Sequence, residues 1–418
     1  MRNKNLDFEV LARGLDISPS MHQYTVQRYG AISEYINSHG INANFYPQGS
    51  FRTGTVVRPV KDGVETDFDI DVVCELSVSK DATTPQAVKQ SVGAVLRESE
   101  MYRKKLQPEE DRCWTLKYEA ELIAGIGLKL DVVPCVKETQ KQILVLQSKN
   151  VPLEFAEQSV AITEKGHGTY FWQASNPGGY ADWFDQINRR YLMINLQDRK
   201  AQFLRENRNL FAATATIEDV PDYYIKSSLQ RVIQLIKRHR DIYYGRLSNG
   251  KNLRPISAII TTMAAKIAAD ATVYQIDELL AYVVTGMENY ASLLNNRAPK
   301  TRFFGDRADI IQRKEHRWVI SNPVNPEDNY ADSWTNETAE AFFRWVSALK
   351  NDFVLTPTDN EVKYFSSLKS SLGLTFVERT LPDSKSNFYS NPKPIVNERM
   401  PPNAIYIPAS IAKMANLP

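Results

Sequence analysis

The sequence predicts an α/β (α+β) protein in two lobes: a mixed-sheet lobe over residues 1–220 and a helical lobe with an extended tail over 221–418. Three observations carry this expectation. The chain has 418 residues, more than one hydrophobic core usually serves. Its first half holds runs of period-two alternation, above all FDIDVV at 68–73 and WTLKYEAEL at 114–122, the mark of strands with one buried face. After residue 220 the apolar spacing becomes that of helices.

Taken in order, Ser18-Pro19 reads as a helix start, with serine as cap and proline at the first helical position, where its missing donor is harmless. Met21, Tyr29, Ile32 and Ile36 follow at helical spacing, and Gly40 closes the element. Residues 43–48 read as a short strand entering the turn Gln48-Gly49-Ser50, with a short helix over 51–57. A strand follows at 64–76. Thr84-Pro85 starts an amphipathic helix carrying Val88, Val92, Val95 and Leu96. The alternating strand at 114–122 turns through Gly125 and Gly127 into a second strand. There Leu128, Leu130 and Val132 share one face, Asp131 stands on the other, and Pro134 is expected to end the ladder. Residues 166–183, rich in glycine and aromatics, read as a connection between lobes. In 224–243 an apolar stripe of Ile225, Leu229, Val232, Ile233 and Ile236 leaves Arg238 opposite and Lys237 on the border, where a long side chain can present its ammonium at a cleft rim. His239, between Arg238 and Arg240, reads as part of a basic surface patch. Further helices are expected at 254–269, 275–295 and 336–352, with a polar irregular stretch at 302–329. The tail from 380 is rich in proline and asparagine.

Composition narrows the function. With 43% apolar residues, 24% charged residues and a formal net charge of +2, the chain is neither disordered nor a strongly basic nucleic-acid binder. Cys74, Cys113 and Cys135 have no partner at metal-finger spacing, which reads as reduced chemistry without structural zinc. The first residues lack the apolar run of a secretory signal, and the most apolar stretch, 256–273, is interrupted by Lys266 and Asp270. A cytoplasmic protein without membrane contact is the expectation.

The chemistry-bearing feature is the aspartate row. In an extended strand Asp67, Asp69 and Asp71 project one way while Phe68, Ile70 and Val72 project the other. An Asp-x-Asp pair is commonly only a solvated strand face. Context changes the reading, because burying carboxylates without a counter-charge costs roughly several kcal/mol each. The Gly49-Ser50 turn lies ahead of the row, and glycine permits the close backbone approach a phosphate needs. Asp131 offers a third carboxylate from a neighbouring strand. Such a set suits Mg2+, which takes oxygen ligands from a few carboxylates, water and substrate phosphate. Two ions about 3.5–4 Å apart can activate a hydroxyl and steady a departing pyrophosphate. Three aspartates alternate where two suffice, so the pair is either Asp67 with Asp69 or Asp69 with Asp71.

These residues, Gln48-Gly49-Ser50, Asp69-Ile70-Asp71-Val72-Val73 and Leu130-Asp131-Val132-Val133-Pro134, resemble the polymerase-β-like nucleotidyltransferases. More narrowly, they resemble the bacterial relatives of cyclic GMP-AMP synthase that make oligonucleotide second messengers in anti-phage defence. The resemblance implies a nucleotidyltransferase palm followed by a helical lobe like that of oligoadenylate synthases. It implies that Asp69, Asp71 and Asp131 hold two Mg2+ ions, with Mn2+ as a substitute. Gly49 and Ser50 would contact the incoming triphosphate, and Gln48 would lie near the acceptor. Lys237 and Ser257 would grip the triphosphate from the second lobe, while Ser175 and Asn176 would fall near the base. By the residues alone, Lys237 reads more readily as a solvated helix lysine, as most lysines are, and Ser257 as a helix cap. The expected function is synthesis of a cyclic di- or trinucleotide from nucleoside triphosphates, ATP or GTP or both. The expected protein is a monomer with a regulatory protein partner. A transferase acting on RNA or protein, and an inactive nucleotide sensor, are the alternatives.

Overall fold

The structure, a computed structural model, describes residues 2–58, 60–61, 64–118, 127–297 and 310–385. The expected turn through Gly125, the segment 302–309 and the tail beyond 385 lie outside the described residues.

An unexpected helix, α1 (Lys4–Gly14), opens the chain, capped by Asn3, whose side chain accepts from the Leu6 amide. The long helix α2 (Pro19–Ser38) starts as its sequence dictates, with Ser18 accepting from the Met21 amide. Strand β1 (Ala43–Pro47) leads into α3 (Gly49–Arg52), which begins two residues earlier than the apolar spacing suggests. A two-residue hairpin, β2 (Val60–Lys61) and β3 (Val64–Glu65), precedes β4 (Phe68–Leu76), so the aspartate strand is shorter than expected. Helices α4 (Pro85–Glu98) and α5 (Glu100–Arg103) lead to β5 (Trp114–Tyr118) and β6 (Leu128–Lys137). Helices α6 (Gln140–Ser148) and α7 (Leu153–Ala156) then precede the hairpin β7 (Val160–Gly166) and β8 (Thr169–Ser175).

These strands build a mixed six-stranded sheet in the order β1-β4-β6-β7-β8, with β5 on the edge of β6. Strands β4 and β6 run parallel, and their neighbours pair antiparallel. Phe68, Ile70, Val72, Leu128, Leu130 and Val132 form the apolar face, packed with Met21, Ile32 and Ile36 of α2 and Val92 and Leu96 of α4. Period two therefore leaves Asp69, Asp71 and Asp131 on the opposite face. Pro134 does not end β6. It falls between the residues paired with β5 (128–132) and those paired with β7 (135–137), where a missing N–H costs least.

The segment 166–183 is not a linker but strand β8 and the start of α8 (Pro177–Met193). Its β-prone aromatics and the Asn176-Pro177 cap were the available signal. Helix α9 (Leu196–Glu206) precedes α10 (Ser228–Gly245), α11 (Gly250–Leu253), α12 (Ser257–Ala268) and α13 (Ile276–Glu288). The polar stretch before α14 (Asn336–Leu349) contains two small hairpins, β9 (Gln312–Lys314) with β10 (Arg317–Val319) and β11 (Ser321–Asn322) with β12 (Asn325–Asn329). Helices α15 (Glu361–Leu372) and α16 (Leu374–Thr380) complete the described fold. Phe8 and Leu11 of α1 and Phe184 and Tyr191 of α8 share one apolar cluster with α10, α12, α13, α14 and α15.

Helix α10 is the axis of that cluster rather than an amphipathic surface helix, because other elements pack around its full circumference. Arg238, His239 and Arg240 are buried. Arg238 donates to the Leu372 carbonyl, His239 faces Asp352 and Trp345, and Arg240 binds Asp241. The expected basic surface patch is therefore absent. Among the described residues no helix is long and apolar enough to cross a membrane.

Candidate active site

The site rests on register. In the parallel pair Asp71 lies opposite Asp131 and Asp69 opposite Lys129, so carboxylates from two adjacent strands stand side by side on the non-apolar face. The turn that follows β1 is tied to the same strand: the Gln48 amide donates to the Asp71 carbonyl at 2.9 Å. Gly49 adopts φ +62°, a conformation glycine reaches without penalty. A Cβ there would lie 3.3 Å from the Asp71 Oδ2, so Asp71 points its carboxylate at the turn. Ser50, in the first turn of α3, is half-buried. Gln48 caps that helix through its backbone, and its side chain makes no capping bond.

The electrostatics are those of an anion cluster. Burial, then repulsion from Asp131 and Asp69, pushes the Asp71 carboxyl up to about 6. Asp69, whose side chain is 58% exposed, is raised by partial desolvation, against the opposing charge of Lys129, with Asp67 and Glu110 adding to the rise. Asp131 is raised by burial, opposed by a hydrogen bond from Thr115, with Glu110 and Asp69 adding repulsion. Each carboxylate is turned to a different neighbour: Asp69 to Lys129 Nζ at 3.8 Å, Asp71 to Gly49, and Asp131 to Thr115 Oγ1 at 2.5 Å. Among the described residues no three His, Cys, Asp or Glu side chains already converge on one point as an ion would require. The donor chemistry nonetheless fits a hard cation, since three oxygen donors on one face repel one another and a divalent ion would relieve that repulsion. Asp67 differs from its neighbours. Its Oδ1 accepts from the Gly127 amide at 2.9 Å, so it fastens the start of β4 to the start of β6.

The other expected residues are placed as follows. Lys237 is not at a rim. It is buried, and its Nζ donates to Thr55 Oγ1 at 2.9 Å and to the Thr55 carbonyl at 3.2 Å. Burial, reinforced by Arg240 and opposed by Asp241, brings its pKa down to about 7. Ser257 is the first residue of α12 rather than its cap, which is Ile256. Its hydroxyl accepts from Arg240 at 2.9 Å. Ser175 and Asn176 are not brought to the aspartates. Ser175 ends β8, two strands away from β6, opposite Val160. Asn176 is buried; its amide donates to the carbonyls of Phe155 and Val324 and its oxygen caps α8 at Gly179. Both of its amide protons and one lone pair of its oxygen are thus engaged within the fold.

Sequence reasoning missed what holds the turn. Gln230 Nε2 donates to the Thr53 carbonyl and Gln234 Nε2 to the Val56 carbonyl, each at 2.8 Å. With Lys237 they form one stripe of α10, spaced i, i+4, i+7, that satisfies the irregular backbone at 53–56. The signal was faint, since two glutamines four residues apart do not stand out on a helix that also carries Arg231, Lys237, Arg238 and Arg240. On the other side Arg52 pairs with Asp182 and Asp185 of α8. Gln234 also donates to Asp16 at 2.8 Å. Gln234→Leu is therefore expected to cost about 1–3 kcal/mol by orphaning buried acceptors, measured by urea unfolding. An unchanged midpoint would show that the contact holds nothing.

The family model for the Second Messenger Oligonucleotide or Dinucleotide Synthetase domain matches residues 1–188. A c-di-GMP synthase of Roseivirga ehrenbergii is 27% identical over 332 residues, covering 78% of this chain and 72% of that protein. The cyclic dinucleotide synthase CdnG of Bradyrhizobium diazoefficiens is 25% identical over 338 residues, covering 78% of this chain and 68% of that protein. The solved structure of CdnG in complex with GTP superposes with a TM-score of 0.62 at 22% identity, over 91% of this chain and 99% of that one. Escherichia coli CdnC with ATP gives a TM-score of 0.53 at 14% identity, over 89% of this chain and 99% of that one.

Proposed function

We propose, from the premise that residues 1–188 form a Second Messenger Oligonucleotide or Dinucleotide Synthetase domain, that the chain joins nucleoside triphosphates and closes them into a cyclic di- or trinucleotide. The observation that carries the proposal is the pairing of Asp71 with Asp131 across β4 and β6, directly beside the Gly49-Ser50 turn. A phosphate seat and a paired-carboxylate seat within one side chain's reach is what transfer of a nucleotidyl group requires.

Asp69, Asp71 and Asp131 would hold Mg2+, or Mn2+ in its place, which supplies Lewis-acid activation of a ribose hydroxyl and offsets the charge of the departing pyrophosphate. Ser50 binds the triphosphate through its hydroxyl and the amides at the start of α3, where Gly49 keeps the approach open. Lys237 acts from behind the turn: its Nζ, bonded to Thr55, fixes the segment that carries Ser50. Arg240 orients Ser257 at the start of α12. Gln48 faces the acceptor nucleotide. The names of the relatives favour GTP among the substrates. A regulatory protein partner belongs to the same reading, prompted by the complex of E. coli CdnC with HORMA. So do a cytoplasmic location and a role in anti-phage signalling.

The test is incubation with four NTPs and Mg2+ but no acceptor, followed by phosphatase treatment and mass spectrometry. A phosphatase-resistant cyclic product containing guanine is expected, lost with EDTA and restored by Mn2+. Label that enters only an added RNA or protein would assign the chain to macromolecule modification instead. Nucleotide binding without turnover under either metal would make it a sensor.

A further inference from the structure

We propose that Thr115 is the positioning residue of Asp131, its hydroxyl deciding which carboxylate oxygen is presented to a bound cation. The proposal rests on the reading of Asp131 as a cation ligand. Strand β5 places Thr115 directly opposite Asp131 in antiparallel register, where paired Cβ atoms lie only about 4.5–5.5 Å apart. The Thr115 hydroxyl donates to Asp131 Oδ1 at 2.5 Å, and the threonine is 3% exposed. A β-branched side chain on a buried strand face has restricted χ1 freedom, so the hydroxyl is a stiff anchor. On its other side Cys113 Sγ lies 3.6 Å from Thr115 Oγ1. The edge is further held by the Gln107 amide, which donates to the Thr115 carbonyl at 2.8 Å.

The consequence is chemical. Asp131 has one oxygen engaged and one left over, and the engaged oxygen meets a neutral donor. Asp69, by contrast, faces the ammonium of Lys129, whose charge competes with a cation for the carboxylate. A hydroxyl fixes the Asp131 rotamer without cancelling its charge. Mg2+ demands near-ideal octahedral geometry at about 2.0–2.1 Å, so a carboxylate locked in advance loses less freedom on binding than a free one. Outer partners of metal ligands typically govern about 10–100-fold in metal affinity.

Thr115→Val keeps shape and burial and removes the donor; Thr115→Ser keeps the donor. The measurement is Mn2+ binding to nucleotide-free protein, followed by electron paramagnetic resonance, with Tm recorded for every variant. Thr115→Val is expected to weaken Mn2+ binding about 10-fold or more, and Thr115→Ser to restore it to within about 3-fold of wild type. In turnover, the half-saturating Mg2+ concentration should rise while kcat at saturating Mg2+ changes far less. Wild-type Mn2+ affinity in a folded Thr115→Val would overturn the proposal. If that variant fails to fold, Thr115→Ala in the same assay decides it by the same criterion. Asp131→Asn is the companion measurement: undiminished Mn2+ binding there would overturn the assignment of Asp131 as a ligand, a failure distinct from that of Thr115.

Discussion

Asp71→Asn is expected to reduce product formation by about 1,000-fold or more while making the metal-free protein more stable than wild type. The loss follows from removing one of the charges that would hold the cation, an effect of several kcal/mol on the transition state at roughly tenfold per 1.4 kcal/mol. The gain follows from the repulsion among the carboxylates when no cation is bound. The Asp71 carboxyl is pushed up to about 6 from its ordinary 3.8, so the folded chain binds a proton more readily here than the unfolded chain does. Stability therefore falls as pH rises from about 4 to 6, and the penalty is full above that range. One pKa unit is about 1.4 kcal/mol. With partial solvent access the penalty at neutral pH is about 1–2 kcal/mol. Asparagine removes both the penalty and its pH dependence. Urea unfolding in EDTA at pH 5 and pH 7.5 would show the variant's advantage growing at the higher pH. A variant less stable than wild type at pH 7.5 would mean that Asp71 is paired rather than strained.

Gly49→Ala is expected to be nearly as damaging to activity, about 100-fold or more, although it touches no ionisable group. Two costs coincide. A positive φ of +62° is unfavourable for any residue with a Cβ, by roughly 1 kcal/mol. The added methyl would also meet Asp71 Oδ2 at 3.3 Å, so either the turn or the carboxylate must shift. A shift of a few tenths of an ångström at Ser50 or Asp71 misaligns groups that have to act together, and misplacement on the ångström scale costs about 100-fold in rate. Steady-state kinetics with a Tm measurement would separate the small stability loss from the large activity loss. Full activity in Gly49→Ala would show that the turn is not the phosphate seat.

Much of this site was legible in the sequence because its logic is local. Alternation in 68–73 and 128–133 sends Asp69, Asp71 and Asp131 to one face whatever else the chain does, since period two is a property of the extended backbone. Ser18-Pro19 and Thr84-Pro85 announce helices because a cap is satisfied within four residues.

Tertiary packing decided the rest. Helical periodicity can report that α10 has an apolar stripe, but not that α1, α8, α12, α13 and α15 surround it. Lys237, read as a rim residue, is therefore an interior one bonded to Thr55. Gln230 and Gln234 look like ordinary polar helix residues until the carbonyls of Thr53 and Val56, more than 170 positions earlier, need donors. The same limit hid half of what Asn176 does: its cap of α8 at Gly179 is local, but its amide donates to the carbonyls of Phe155 and Val324, which only the fold brings beside it. It also hid Thr115, since a strand's own pattern does not say which residue of the next strand will stand opposite. The sequence by itself determined which side chains carry charge and which way each strand turns them. Only the folded chain decided which of them meet, because register and burial are set by long-range pairing and not by the period of any one element.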